Sequence, residues 1–390
     1  MSLLLLRQLL KPSLVRSSSS CFSLVRSSLV GVSSNGFSSG SSSQFPPCCI
    51  VRGSSSQFPP CCIVRGSPCE DDLLRKLVIH KANEFDTTRL EKKVPRELLD
   101  DDAIVTVGSS HGWVGTLKED GILVLQDDLN PVASDSHPKR VHLPPLVTLP
   151  NCQTQIVTNV SMSTSSPEDE NCVVAVKFLG PQLSFCRPGQ SNPKWTNIRI
   201  KHQCFYSSRV MFSEKDDVFR LPGSGGHLIG SWDPKDLKDK PNIQRLRFQN
   251  LPELTKTKLE LLHSCSTTEH LVESRSTGET FLIKWYRKAT SSGAVKMKSR
   301  ALMVFKLEGK GNALYTRDIG DLCIFLSNSE PFCVPATSFP GLFSNCVRVV
   351  DIDEGGFVFL GHDGLLSPIR ARNMTYVAPY HIPPQNQNII

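Results

Sequence analysis

Residues 103–126 read AIVTVGSSHGWVGTLKEDGILVLQ, and this stretch decides the fold. Ala103 to Val107 is an apolar, β-branched run, a Gly-Ser turn follows, Trp113 to Leu117 forms a second run, KEDG turns the chain, and Ile122 to Gln126 makes a third. Three short extended runs within 24 residues, each closed by Gly, Ser or Asp, predict antiparallel hairpins. A helix needs apolar residues recurring every three or four positions, and that spacing is missing here.

The same unit recurs downstream. Cys172–Phe178, Leu183–Cys186 and Trp195–Ile200 form one group; Val210–Phe212, Val218–Leu221 and His227–Trp232 another. Leu271–Glu273, Thr280–Tyr286 and Leu302–Phe305 follow, then Leu322–Leu326 with Phe332–Val334, and a last hairpin joins Cys346–Ile352 to Phe357–Leu360 across DEGG. Meanders of three or four strands must protect their edges, and radial closure into a β-propeller does so. A pair of β-sandwiches is the rival, but no linker divides the body into two such domains. The onsets near 103, 172, 210, 271, 322 and 347 are unevenly spaced, so periodicity does not give the blade number.

Five longer stretches support a resemblance: Ser110-His-Gly-Trp113; His142-Leu-Pro-Pro-Leu146 with Leu149-Pro150; VMFSEKDDVFRLPGSGGHLIGSWD at 210–233; GETFLIKWYR at 278–287; and IGDLCIFLSNSEPFCVPATSFPG at 319–341. Together, over roughly residues 95–370, they resemble the plant F-box-associated family with domain of unknown function 295, and most of all its organelle-targeted branch lacking an F-box. The resemblance implies an all-β, kelch-like propeller with irregular blades, no established catalytic residues, and a role in recognising proteins. Pro95-Arg96-Glu97-Leu98-Leu99 matches the opening of an F-box, but Asp100 to Asp102 lead straight into a strand. Docking to a ubiquitin-ligase scaffold is therefore not expected.

The first 69 residues contain no Asp or Glu and six basic groups: Arg7, Lys11, Arg16, Arg26, Arg52 and Arg65. The rest carries 38 basic against 37 acidic groups, so the net charge of +7 lies almost wholly in this segment. Twenty serines and the Leu3, Leu6, Leu10, Leu14 stripe complete the signature of an organellar presequence. A secretory signal is disfavoured because Arg7, Lys11 and Arg16 interrupt the apolar run. Mitochondrial delivery is expected, with plastid or dual delivery as alternatives. Ser42–Ser54 (SSQFPPCCIVRGS) recurs unchanged as Ser55–Ser67. Its paired cysteines, Cys48 with Cys49 and Cys61 with Cys62, do not match zinc-ligand spacing.

The expected organisation is thus a disordered transit peptide over 1–69, a short helical lead-in over 70–102, where Leu recurs among charges at helix-like spacing, a propeller over 103–375 and a tail over 376–390. No run of about 18 apolar residues exists to span a bilayer. The near-neutral body gives no reason to expect nucleic acid as a partner. Cys152, Cys172, Cys186, Cys204, Cys265, Cys323, Cys333 and Cys346 lie mostly beside apolar strands and read as free thiols.

No catalytic, cofactor-binding or metal residue is assigned. Gly108-Ser-Ser110-His111-Gly112 satisfies the G-x-S-x-G pattern of a hydrolase nucleophile elbow, but a strand rather than a helix follows, so Ser110 reads as a turn residue. Gly223-Ser-Gly225-Gly226-His227 resembles a phosphate cradle, yet lacks the Lys-Ser or Lys-Thr of a P-loop and continues as a strand. Asp216-Asp217, Asp351-Ile-Asp353-Glu354 and Asp100–Asp102 lack calcium-loop spacing and read as solvated turns. Trp113, Trp195, Trp232 and Trp285 read as core anchors, and Lys284, Arg287 and Lys288 as a solvated strand edge. A non-enzymatic, organellar module for protein interaction, or for assembly or stress response, with a protein partner and no cofactor is the expected function; a propeller-type hydrolase with an unidentified substrate is the alternative.

Overall fold

The computed structural model describes residues 57–99, 105–153, 156–236, 240–290, 296–309, 311–361, 367–368, 376 and 378–386. β1 (Gln57–Phe58) precedes blade 1, whose strands are β2 (Cys61–Pro68), β3 (Leu74–Lys81) and β4 (Thr87–Pro95). Blade 2 is β5 (Val105–Ser110), β6 (Trp113–Leu117), β7 (Ile122–Gln126) and β8 (Arg140–Pro145). Blade 3 is β9 (Val157–Met162), β10 (Val174–Phe178), β11 (Gln182–Cys186) and β12 (Thr196–Arg199), and blade 4 is β13 (Met211–Ser213), β14 (Val218–Pro222), β15 (Leu228–Trp232) and β16 (Asn242–Arg245). Blade 5 holds β17 (Arg247–Gln249), α1 (Lys256–His263), β18 (Ser266–Glu273), β19 (Thr280–Thr290), β20 (Lys296–Glu308) and β21 (Asn312–Thr316). Blade 6 is β22 (Leu322–Leu326), β23 (Phe332–Pro335), β24 (Cys346–Asp351), β25 (Glu354–Phe359) and β26 (Ser367–Pro368). β27 (His381–Ile382) then returns to blade 1, and β28 (Gln385–Asn386) pairs with β1.

The fold is an all-β, six-bladed propeller. Among the described residues helix is confined to α1 and three single-turn 3-10 segments. Neighbouring blades bury apolar faces against each other: Ile63, Leu77 and Val94 of blade 1 share a core with Val114 and Leu129 of blade 2, and Val272, Phe281 and Trp285 of blade 5 share one with Ile324, Val347 and Val349 of blade 6. The ring closes by mixing chain ends, since β27 adds to β2 with Cys61 opposite Ile382 and Cys62 opposite His381. No described helix is long and apolar enough to cross a membrane.

Three expected boundaries are corrected. The described residues of the expected lead-in at 70–102, which end at Leu99, hold β3, β4 and the 3-10 turn Arg96–Leu98, not a helical lead-in. In β4, Thr88, Leu90, Lys92 and Val94 turn inward while Arg89, Glu91 and Lys93 face out, the period of two that a half-buried strand requires. Lys92 obscures that pattern because it is buried, its Nζ donating to the Ala133 carbonyl at 2.7 Å. The segment assigned to the leader also reaches too far: the second repeat supplies β1 and β2, with Cys61, Cys62, Ile63 and Val64 buried. The first repeat and the Leu-rich start lie outside the described residues. Finally, the described part of the segment expected as a tail, within 376–386, belongs to the propeller, because Tyr376, Ala378, Tyr380 and Ile382 are buried and β27 closes the ring.

Candidate functional site: a cup on the propeller axis

Six inner strands, β5, β9, β13, β18, β23 and β27, surround the axis. The connection between β22 and β23, residues 327–331, runs down this space. Ser329 bridges Ser109 in parallel fashion, and the Glu330 N–H donates to the Ser109 carbonyl at 2.6 Å. Asn328 N–H donates to Pro379 O at 3.1 Å, and His381 N–H to Ser327 Oγ at 3.0 Å. Arg209 holds the segment from the other side, donating to Ser327 O at 3.2 Å and Asn328 Oδ1 at 3.0 Å. Above this plug a cavity of about 790 Å³ opens, with Glu330 among its lining residues.

Glu330 gathers donors from three other blades. Ser110 Oγ of blade 2 donates to Oε2 at 2.6 Å, while Ser161 Oγ of blade 3 and the Phe212 N–H of blade 4 each donate to Oε1 at 2.7 Å. Burial nevertheless pushes its carboxyl up to about 7, because desolvation of the charge outweighs these donors. The surface it retains opens on the cup.

The walls are organised in the same way. Glu273 accepts from Ser213 Oγ at 2.6 Å and from Lys215 N–H at 2.8 Å, Asp127 accepts from Lys139 N–H at 2.8 Å, and Glu214 is ion-paired with Arg275. His111 sits at the β5–β6 turn with φ 52°, followed by Gly112 at φ 92°, the left-handed pair of a two-residue hairpin. Burial and the Arg275 charge lower its imidazole to about 4, so it lines the cup uncharged. Two buried polar atoms of lining residues, Ser109 Oγ and His381 Nδ1, have no hydrogen-bond partner among the described residues.

Ser110 is therefore the last residue of a hairpin strand, paired with Trp113, and no helix follows it. Its hydroxyl also accepts from Met162 N–H at 3.1 Å, so it ties three blades together. The 223–227 loop is the tight connection between β14 and β15. Its Gly225 N–H donates to Glu269 Oε1 at 2.8 Å, so the anion it cradles is the protein's own carboxylate. Gly226 has φ 73°, and a Cβ there would meet Leu282 Cδ2 at 2.9 Å. His227 lies edge-on to Phe248.

The acids around DEGG are more than solvated turn formers. Asp351 pairs with Arg287, Asp353 accepts from Met297 N–H at 2.8 Å, and Glu354 from Ser299 N–H at 2.9 Å, which fastens blade 6 to the long β19–β20 hairpin of blade 5. Arg287 also lies 4.4 Å over the Trp285 ring, and Lys284 donates to Gly225 O at 3.0 Å, so this strand edge is engaged between blades. Trp113, Trp232 and Trp285 are buried as expected of anchors, and Trp195 donates to Pro144 O at 2.6 Å. All eleven described cysteines are free thiols, and no described group of His, Cys, Asp or Glu has the arrangement of a metal site.

With six blades and a plugged axis established, the family description KIB1-4 beta-propeller matches residues 82–374. The chain belongs to the KIB1-4 β-propeller family. The matched span omits β2, β3 and β27, which complete blade 1 in this chain. Among solved structures, the β-propeller domain of Cps50 (Swd1) from Myceliophteria thermophila is similar, with 9% identity, 80% of this chain and 87% of that one covered, and a TM-score of 0.32. The Aleuria aurantia lectin AAL, in a mutant complexed with Fucalpha1-6GlcNAc, is 11% identical, with 74% and 81% covered and a TM-score of 0.32. No curated protein matches the chain.

Proposed function

We propose that this KIB1-4 propeller is a recognition module that holds a protein partner at its cup, works in an organelle, and is not an enzyme. One observation carries the reading: the Glu330 carboxyl at the cup is gripped by Ser110, Ser161 and the Phe212 N–H, which come from three other blades. A hydroxyl donating to a carboxylate is also the geometry of a nucleophile and its base, but one carboxylate shared among three donors from three blades is placed to hold a rigid cup together. Preorganised concave surfaces on a propeller face suit binding. The acid-free, Arg-bearing N-terminus supports delivery to mitochondria, with plastid or dual delivery as the alternatives. Within the resemblance to F-box-associated propellers, the Pro95–Leu99 fragment supports no docking to a ligase scaffold, since Leu98 and Leu99 are each 4% exposed and packed in the blade 1–2 core.

The test is comparative capture from organellar extract, using the wild-type chain and an Arg275→Glu, His111→Asp variant whose melting temperature matches it. A partner retained by the wild type and lost by the variant supports the reading. Equal retention by both, or turnover of an ester or glycoside library that disappears in Ser110→Ala, overturns it.

A further inference from the structure

We propose that the first copy of the tandem repeat, Ser42–Ser54, can replace the second in blade 1, so that the place of β1 and β2 can be filled from either of two positions in the chain. The copies are identical over thirteen residues. Those residues include all of β1 and β2 except Pro68, whose counterpart is Ser55.

Apart from those of Pro68, the contacts that secure the resident copy would meet the same side chain from the other. Cys61 and Cys62 pair with Ile382 and His381 on one side and with Lys81 and His80 on the other. The Ile63 N–H donates to Tyr380 O at 3.1 Å, Pro60 O accepts from Ala82 N–H at 2.8 Å, and Ile63 is fully buried. Cys48, Cys49, Ile50 and Pro47 offer the same chemistry in the same order. At the cup rim, Gln44 and Phe45 would face Gln385 and Asn386 as Gln57 and Phe58 do now.

The two arrangements differ in one physical quantity, the connection to β3. Five residues, 69–73, join the resident β2 to Leu74; starting from Ser55, eighteen would. Loop-closure entropy grows with the logarithm of length, which disfavours the longer connection only about sevenfold. The second copy is therefore resident and the first is a reserve. In the exchanged form the additional thirteen residues leave the ring at the β2–β3 end of blade 1, away from β1 and the cup rim. Processing of the leader beyond residue 54 would remove the reserve and fix the second copy in place.

The experiment uses the full unprocessed chain. Deleting residues 42–54 or 55–67 yields one and the same protein, which is the single-copy control. Ile63→Asp places a carboxylate in a fully buried strand position, and in the single-copy chain it should lower the folding constant by at least about a hundredfold. In the two-copy chain the same substitution should lower it only about sevenfold, because Ile50 fills the site. Limited trypsin digestion reads which copy is resident: cleavage after Arg52 with Arg65 protected in wild type, and the reverse in Ile63→Asp. Ile50→Asp should leave the wild-type melting curve unchanged, and Ile50→Asp, Ile63→Asp together should match the single-copy failure. Equal destabilisation by Ile63→Asp in both backgrounds, or a folded Ile63→Asp chain still cut after Arg52, would overturn the proposal.

Discussion

Ser110 Oγ donates to Glu330 Oε2 at 2.6 Å, although the two residues belong to blades 2 and 6, which are not neighbours in the ring. The bond is possible because the β22–β23 connection leaves its own blade and lies along Ser109 on the axis. A serine that sequence pattern alone offers as a nucleophile is thereby a tie across the channel, and its loss should be felt in stability.

Ser110→Ala removes a donor to the Glu330 carboxyl and the acceptor of the Met162 N–H. Leaving two deep polar groups short of a partner should destabilise the propeller by roughly 1–3 kcal/mol, more than a solvated turn hydroxyl would contribute. Urea denaturation should show a lower midpoint with an unchanged slope. A midpoint within error of wild type would mean that the Glu330 cluster contributes nothing to stability.

The Glu330 carboxyl is raised from the ordinary glutamate value of 4.5 to about 7, chiefly by burial. A raised folded-state pKa stabilises the fold in full below pH 4.5, and this stability is lost as pH rises through 7, because the unfolded chain ionises first. The shift corresponds to about 3 kcal/mol across that window. Glu330→Gln cannot ionise, so the difference in unfolding free energy between wild type and variant should shrink or reverse between pH 4.5 and 7.5. Parallel stability–pH curves for the two proteins would show that the carboxyl is not shifted.

Lys177 is fully buried on β10, and its Nζ donates to three carbonyls: Phe178, Gly180 at 2.9 Å and Tyr206 at 3.0 Å. The Lys177 amine, lowered to about 7 by burial, thus clips the β10–β11 turn to the chain that leads into blade 4. Lys177→Met keeps the volume and removes the shared donor, leaving Tyr206 O only its bond from the Gly180 N–H, and a loss of roughly 1–3 kcal/mol is expected, measured as a drop in thermal midpoint. Unchanged thermal unfolding would show that the carbonyls find other partners.

How much of this was legible depends on how local the signal is. The Trp113–Leu117 and Ile122–Gln126 hairpin was readable because both strands, and the glycine of the turn between them, lie within fourteen residues of each other. Blade 1 was not, since an inward Lys92 breaks the apolar alternation of β4 and its inner strand, β27, comes from the far end of the chain. The runs at Leu322 and Cys346 looked like separate units, yet β22 and β24 pair in parallel within one sheet. Glu330 sits in SNSEP, which reads as a loop, and its partners Ser110, Ser161 and Phe212 lie 220, 169 and 118 positions away. Only closure of the ring brings them together.

Truncation should separate leader from propeller more finely than composition does. The absence of acids up to Glu70 places the boundary at 69, but β2 occupies Cys61–Pro68, and the compact unit begins at Ser55. A chain starting at Ser55 should fold with a cooperative β-rich melt. A chain starting at Glu70 lacks both repeat copies, loses the strand between β27 and β3, and should aggregate or melt without cooperativity. Equal folding of the two would show that blade 1 closes without β2.

Import should then reside in the residues before Ser55. Within them lie Arg7, Lys11, Arg16, Arg26 and Arg52 and no acid, the charge pattern that an inside-negative potential draws across a membrane. A fluorescent fusion of residues 1–54 should reach mitochondria in cells, and replacing Arg7, Lys11 and Arg16 by Glu should abolish delivery by reversing the charge of the Leu-rich start. Removing one repeat copy should leave import intact, because the signal is assigned to residues 3–16, and should leave the propeller intact, because the remaining copy still precedes Pro68 directly. A fusion that stays cytosolic or enters the secretory pathway, or a charge-reversed leader that imports as well as wild type, would remove the basis for an organellar role.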